Sequence, residues 1–198
     1  MTRHSKNHMG FQWLIDQLPP KRPLRLLDVG CSVCFEGEAL NKAGIEFTGI
    51  DQDEGSTKLA RSRFPDNNFI CMDALRFDPE NEASYDVLLF RRPDLSVQPD
   101  QWQRILNRSV RWLVTGGKIF VTAPGKIEAS IAQYMLTHAG YVEITIENTE
   151  NEEESIVMTA RTDEQKIKEE NIPQLPKGVI LWQDEPAPMC DFTTGLCD

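Results

Sequence analysis

The sequence is poor in several features that mark whole classes of protein. Basic residues are outnumbered, with 21 lysines and arginines against 31 acidic residues and a formal net charge of −10. This balance disfavours broad binding to nucleic acid, which needs a basic footprint, and it also disfavours anionic membrane surfaces. No apolar run approaches the roughly 20 residues that span a bilayer. The basic N-terminus is not followed by the long apolar stretch of a secretory signal, so we expect a cytoplasmic location.

Cysteine and histidine are also scarce, and their spacing does not predict a metal site. The chain has 5 cysteines and 3 histidines, and this odd, sparse cysteine set favours reduced thiols over a secreted disulfide scaffold. Cys31 and Cys34 have the spacing of zinc ligands, and Cys190 and Cys197 could complete a set of four. The first pair lies in a predicted ligand turn and the second is widely spaced. We therefore expect no metal.

The patterned part of the chain alternates strands with helices, which predicts a parallel sheet covered by helices on both faces. Strands are predicted over residues 24–30, 46–51, 68–73, 85–91, 118–122, 141–147 and 155–161. Helices are predicted over residues 9–18, 35–43, 56–64, 100–113 and 126–138. The last two strands, joined by an acidic tip over residues 148–154, read as an antiparallel hairpin.

The length of 198 residues fits one core-bearing domain with a modest appendage. We place that domain at residues 1–162, with its core over 20–162. Residues 163–198 form a proline-containing tail. We expect the tail to dock on the domain, because fully disordered tails rarely keep side chains such as Trp182 and Phe192.

Three of the predicted strands end in residues suited to a nucleoside-containing ligand. The first stops at a turn containing Gly30, where backbone N–H groups can approach a ligand closely. The second and third end in Asp51 and Asp73, and a carboxylate at a strand end can accept hydrogen bonds from a ribose. These strand ends share one edge of a parallel sheet, so we expect a single site. Ser32 and Cys34 stand where a glycine fingerprint would continue.

Residues 20–162 resemble the class I S-adenosylmethionine-dependent methyltransferases. The resemblance rests on Asp28 before the glycine turn, on Asp51 and Asp73, on the leader at 113–121 and on the closing hairpin. It implies an α/β, Rossmann-like, mostly parallel seven-stranded sheet with helices on both faces and a C-terminal antiparallel hairpin. It also implies S-adenosylmethionine as the cofactor and methyl transfer, for which we expect a small-molecule acceptor.

The same resemblance implies roles for individual residues. The backbone of residues 30–32 would face the methionine moiety, Asp51 the ribose hydroxyls and Asp73 the adenine amino group. The residues assigned to the cofactor in this way are Asp28, Gly30, Cys31, Ser32, Asp51, Gln52, Asp73, Ala74 and Phe90. No catalytic residue is assigned, because orientation can supply much of the acceleration of this direct displacement.

Arg91 and Arg92 end the fourth predicted strand, where ligands of open α/β sheets bind. An arginine there can hold a carboxylate or phosphate of the acceptor through two parallel hydrogen bonds. A structural pair with an acid such as Asp94 or Asp73 explains these arginines equally well.

Other interpretations of the same residues stay open. Asp51 can cap the helix that follows it, and Asp73 can cap a short helical turn. Cys34 disfavours the positive φ that glycine permits, so a methyltransferase-like module that only binds a partner is an alternative function. A nicotinamide-dependent oxidoreductase is a weaker alternative, because its G-x-G-x-x-G pattern requires glycine where Ser32 and Phe35 stand.

Overall fold

The computed structural model describes residue 11 and residues 14–79, 84–148 and 156–162, together with the backbone of residues 190–191 and 196–197. The predicted acidic tip beyond Asn148 and the predicted docking of the tail lie outside these residues. Part of the predicted N-terminal helix lies outside them too, but residue 11 and residues 14–17 are helical.

Seven strands form one sheet in the order β3-β2-β1-β4-β5-β7-β6. β1 to β5 pair in parallel, whereas β7 runs antiparallel to both β5 and β6. This arrangement confirms the predicted α/β class and the closing hairpin. The strands are β1 Leu24–Val29, β2 Ile45–Asp51, β3 Asn68–Cys71, β4 Tyr85–Arg91, β5 Leu113–Ala123, β6 Tyr141–Asn148 and β7 Ile156–Thr162. Two short strands, β8 Cys190–Asp191 and β9 Leu196–Cys197, pair separately.

Apart from the end of α3, the helices between the strands begin and end within two residues of their predicted bounds. They are α1 Gly37–Lys42, α2 Glu54–Arg63, α3 Pro99–Ser109 and α4 Lys126–Ala139. α2 begins two residues before its prediction because the Asp53 carboxylate caps it, accepting a hydrogen bond from the Ser56 N–H at 2.7 Å. Within the described part of the chain, no helix is both long and apolar enough to cross a membrane.

The boundary between α3 and β5 differs from the prediction. The helix expected over 100–113 ends at Ser109, and Leu113 is already the first residue of β5. The Trp112 N–H donates to the Ser109 carbonyl, and the Trp112 carbonyl accepts from the Tyr85 N–H of β4. The apolar spacing continues through this turn because Val110, Trp112 and Leu113 are all buried, so the pattern alone could not locate the helix end.

The core lies on both faces of the sheet, as expected for a doubly covered parallel sheet. Alternate residues of β1 serve the two sides: Leu24 and Leu26 pack on one face, Leu27 and Val29 on the other. The first face is covered by the N-terminal helical residues, α1 and α2, and the second by α3 and α4. This packing fixes the strand ends, and with them the loops that form the candidate site.

Candidate functional site

The carboxyl ends of β1, β2 and β3 open into a cleft beside α3. The cleft is open to solvent on one side and holds about 120 Å³, less than the roughly 300–1,000 Å³ of a fully formed small-molecule site. Five residues singled out from the sequence line it together: Gly30, Asp51, Gln52, Asp73 and Ala74. The strand ends therefore meet at one edge, as the sequence predicted.

Gly30 makes the turn that follows β1. Its φ of +76° lies in the left-handed region that favours glycine. A Cβ at this position would meet no atom within 4 Å, so the backbone here faces open space. The N–H groups of Gly30 and Cys31 both donate to the Ile50 carbonyl, at 2.8 and 3.0 Å, which ties the turn to β2.

Asp51 connects two of the loops around the cleft. Its Oδ2 accepts a hydrogen bond from the Ser32 N–H at 2.8 Å, and its Oδ1 accepts one from the Asp53 N–H at 2.9 Å. Each carboxylate oxygen can accept a further hydrogen bond. A half-buried carboxylate at the cleft wall is therefore able to take two more donors from a ligand.

Asp73 caps the short 3₁₀ helix Ala74–Arg76 by accepting a hydrogen bond from the Leu75 N–H at 2.9 Å. The capping interpretation of this residue is thus confirmed. Asp73 and Ala74 are half-buried and line the cleft, so capping leaves the carboxyl group beside the open space. Asp73 can serve both purposes, because one carboxylate has about four acceptor positions.

We refer to residues 30–36, which join β1 to α1, as the β1 loop. Ser32 and Cys34 in this loop have φ of +48° and +52°. Cysteine disfavours such a conformation, and the loop adopts it nevertheless. A non-glycine residue held in this region costs on the order of 1–2 kcal/mol, so the surroundings of the loop must stabilise it.

A buried polar cluster joins the β1 loop to the end of β1. Asp28, Cys34 and Glu36 are at most 1% exposed, and one ligand atom from each lies within 4.8 Å of the others. The Arg91 Nη1 forms an ion pair with Glu36 Oε2 at 2.7 Å. The Arg91 guanidinium also stacks on the Phe11 ring, 4.5 Å from its centroid, in a favourable cation–π contact.

Burial controls the protonation of this cluster. Desolvation raises the pKa of Asp28 well above its usual range; the neighbouring Glu36 raises it further, and Arg91 opposes the shift. Desolvation and Asp28 likewise raise the pKa values of Cys31 and Cys34. Protonated thiols are poor nucleophiles and poor metal ligands. The absence of a metal remains a prediction.

The remaining candidates lie away from the cleft wall. Phe90 is fully buried beneath it and packs edge-to-face on Trp102, with the ring centroids 6.2 Å apart. Arg92 is exposed, and its N–H donates to the Thr122 hydroxyl at 3.0 Å. Arg91 pairs with an acid, as one of the two interpretations proposed, but this acid is Glu36 and not Asp94 or Asp73; Asp94 accepts a hydrogen bond from the Trp102 indole at 2.7 Å.

Sequence reasoning missed several residues of the site. Trp102 and Ile105 line the cleft from α3, although their helical spacing indicated only a buried face. Glu36 was not predicted as a site residue. Its position directly before a short helix with buried residues could have indicated that it is buried. Arg63 of α2 was also missed: its Nη1 donates to the Val33 carbonyl in the β1 loop at 2.8 Å.

Comparison with known proteins identifies a similar domain in part of the chain. Residues 26–117 match the model of a family described as a methyltransferase domain. A ubiquinone biosynthesis O-methyltransferase from Bordetella avium (strain 197N) is 38% identical over 58 residues, which are 29% of this chain and 24% of that protein. The chain therefore matches only about a quarter of the length of this curated relative.

Solved structures share the fold at low sequence identity. A SAM-dependent O-methyltransferase from Thermotoga maritima superposes with a TM-score of 0.64 at 14% identity, over 81% of this chain and 67% of that one. The cyclase SpnF gives a TM-score of 0.66 at 16% identity, over 78% of this chain and 81% of that one. At such identities the likeness shows the fold alone, and a fold hosts more than one reaction.

Proposed function

We propose that this chain, in which residues 26–117 match a methyltransferase domain, is a class I S-adenosylmethionine-dependent methyltransferase that transfers a methyl group from S-adenosylmethionine to a small-molecule acceptor. The observation that supports this proposal most directly is the cleft shared by Gly30, Asp51 and Asp73. A turn open to close approach and two strand-end carboxylates are what an adenosyl ligand requires.

The residues of the cleft fit the parts of this cofactor. Asp51, with acceptor capacity left on both oxygens, would bind the ribose hydroxyls. Asp73 would accept from the adenine amino group, with Gln52 and Ala74 beside the base. The open space above Gly30 is a cradle that a side chain would narrow.

The β1 loop and the buried polar cluster of Asp28, Cys34 and Glu36 would hold the amino-acid end of the cofactor. The backbone of Cys31 and Ser32 follows the Gly30 turn and would face the methionine moiety. Asp28 lies directly below, and its pKa is raised by burial and by the adjacent Glu36, with which it shares a hydrogen bond. The proton that it keeps therefore lies between the two carboxyl groups beneath the Gly30 turn.

When bound, the cofactor would supply a methyl group that its sulfonium activates for transfer. The residues of this chain act by orientation and exclusion of water. Trp102 and Ile105 supply an apolar wall, and the hydrogen-bonded loops hold the ligand in one position. Orientation of two bound reactants can lower a barrier by up to roughly 7–11 kcal/mol, so the proposal needs no acid–base pair.

A small-molecule acceptor is proposed because the acidic chain, with a net charge of −10, lacks the basic footprint of a general nucleic-acid enzyme. Arg92, exposed at the end of β4, is the proposed contact for an anionic group of the acceptor, and Arg91 lies beside it. A cytoplasmic location is proposed on the free thiols of Cys31, Cys34 and Cys71.

Calorimetric titration with S-adenosylmethionine and S-adenosylhomocysteine tests the proposal. We expect both to bind with micromolar affinity and NAD(H) not to bind. Absence of detectable binding at millimolar ligand would overturn the proposal, and preferential binding of NAD(H) would favour an oxidoreductase. Incubation with methyl-labelled cofactor and pools of small-molecule acceptors then separates a transferase from a module that only binds.

A further inference from the structure

The β1 loop has an unusual backbone for its sequence. It is left-handed at Gly30, Ser32 and Cys34, and only the first of these is glycine. Serine and cysteine enter this region reluctantly because their Cβ approaches the following carbonyl oxygen. Such conformations persist where the surrounding structure over-determines them. The contacts made by the loop should therefore show what holds it.

Each of the two strained residues follows a peptide plane that has a hydrogen bond from outside the loop. The N–H preceding the Ser32 Cα donates to Asp51 Oδ2 at 2.8 Å. The carbonyl of Val33, in the plane that precedes Cys34, accepts from Arg63 Nη1 at 2.8 Å, and the N–H of that plane donates to the Cys31 carbonyl within the loop at 2.8 Å. Because φ is the rotation between a residue and the peptide plane before it, the direction of these two groups sets the φ of Ser32 and Cys34.

Arg63 is exposed, but its guanidinium lies against two aromatic rings. Its guanidinium lies 5.0 Å from the centroid of the Phe64 ring and 5.8 Å from that of Phe35. Phe64 also packs so closely on α1 that a Cβ at Gly37 would lie 2.6 Å from the ring. The arginine therefore joins the end of α2 to the β1 loop through a hydrogen bond and a ring contact.

We propose that Arg63 is a positioning residue for cofactor binding: it holds the Val33 peptide so that Cys34 keeps the left-handed conformation that glycine would adopt unaided. This inference rests on the proposed binding of S-adenosylmethionine. Arg63 acts through the β1 loop and does not line the cleft. The loop keeps a glycine-type shape without the glycine because α2 adds a restraint to the hydrogen bond between the Cys34 N–H and the Cys31 carbonyl.

The proposal predicts a specific rescue. In Arg63→Met the loop is released, so we expect S-adenosylhomocysteine to bind about five- to tenfold more weakly. Adding Cys34→Gly removes the cost of the left-handed conformation, so the double variant should bind within about twofold of Cys34→Gly alone. Ser32→Gly should not rescue Arg63→Met, because the peptide before Ser32 is held by Asp51. Arg63→Lys, which keeps a cationic donor, should lie between wild type and Arg63→Met.

Arg61→Met is the matched control. Arg61 lies on the same helix and also donates to a backbone carbonyl, that of Phe69, at 2.7 and 3.0 Å, but it does not contact the β1 loop. We expect this variant to keep wild-type affinity. Equal loss in Arg61→Met and Arg63→Met, or equal rescue by Ser32→Gly and Cys34→Gly, would overturn the proposal.

A second readout works without any ligand. The Cys34 thiol is buried under the loop, so its alkylation by iodoacetamide reports on loop opening. We expect Arg63→Met to accelerate alkylation of Cys34 at least severalfold, as measured peptide by peptide in a mass spectrometer. Unchanged Cys34 protection would overturn the positioning role. If wild type binds no S-adenosylhomocysteine, the proposed function fails, and this measurement still decides the role of Arg63.

Discussion

Arg91, at the carboxyl end of β4, forms a 2.7 Å ion pair with Glu36, whose side chain is only 1% exposed. The two residues are 55 positions apart in the chain. The pair fixes the end of the β1 loop to the centre of the sheet.

Removing one partner of the Arg91–Glu36 ion pair should lower the free energy of unfolding more than removing both partners. Arg91→Met leaves Glu36 buried without its cation, so we expect a loss of about 3–5 kcal/mol in the free energy of unfolding. Glu36→Leu combined with Arg91→Met leaves no buried unpaired charge from this pair and should recover much of that loss. Urea unfolding of the two single variants and the double variant measures the coupling. Additive losses would contradict the interpretation.

Asp51→Ala should abolish most of the cofactor affinity. It removes the proposed ribose acceptor and also the hydrogen bond to the Ser32 N–H, and each charge-assisted hydrogen bond contributes about 1.5–3 kcal/mol. We expect binding of S-adenosylhomocysteine to weaken by at least about a hundredfold, with an unchanged circular dichroism spectrum.

Asp53→Ala is the neighbouring control for that variant. Asp53 caps α2 through the Ser56 N–H and does not line the cleft. We expect a slightly lower melting temperature and unchanged affinity. Retention of full affinity in Asp51→Ala would refute the ribose role.

The stability of the protein should fall as the pH rises through the range in which Asp28 titrates. Its folded pKa is raised above the ordinary value of 3.8 by burial and by Glu36, so the folded state keeps a proton that the unfolded state releases. The free energy of unfolding is then highest below the unfolded pKa and declines until the pH exceeds the folded pKa. Asp28→Asn should remove this decline and leave a variant more stable than wild type at neutral pH.

Asp86 should change the free energy of unfolding with pH in the opposite direction, and Asp86→Asn should remove that change. Burial raises the pKa of Asp86, but the Arg25 N–H and the Lys21 ammonium lower it overall. Its contribution to stability is therefore present above the unfolded pKa and lost as the pH falls. Urea unfolding measured from acidic to neutral pH distinguishes the contribution of Asp28 from that of Asp86. Parallel pH profiles for wild type and Asp28→Asn would contradict the shared burial of Asp28 and Glu36.

The cysteines near the cleft should differ sharply in reactivity. Cys71 is exposed, whereas Cys31 and Cys34 are buried and have raised pKa values because desolvation disfavours their thiolates. The thiolate is the reactive species, so iodoacetamide at about pH 8 should modify Cys71 well before the other two. Peptide mass spectrometry over a time course measures this order, and unfolding in urea should remove the difference.

The sequence predicted the parts of the site that local pattern controls. Gly30, Asp51 and Asp73 each end an apolar strand, so their positions followed from the strands and their common edge followed from parallel pairing. The ion pair between Glu36 and Arg91 was not predicted, because two residues 55 positions apart show no relationship in the local periodicity of the sequence. The positive φ of Cys34 was not expected for a related reason: the peptide before it is hydrogen-bonded both within the loop and to an arginine on another helix.

β7 runs against β5, and this direction decides where the chain leaves the sheet. Ile156 pairs with Ala123 at the edge that carries the cleft, and Arg161 pairs with Lys118 toward the opposite edge. At about 3.4 Å per residue, β7 carries the chain roughly 20 Å from the cleft. Thr162, the last residue of β7, therefore lies toward the edge of the sheet opposite the cleft, so the end of this strand leaves the mouth of the cleft free for ligand exchange.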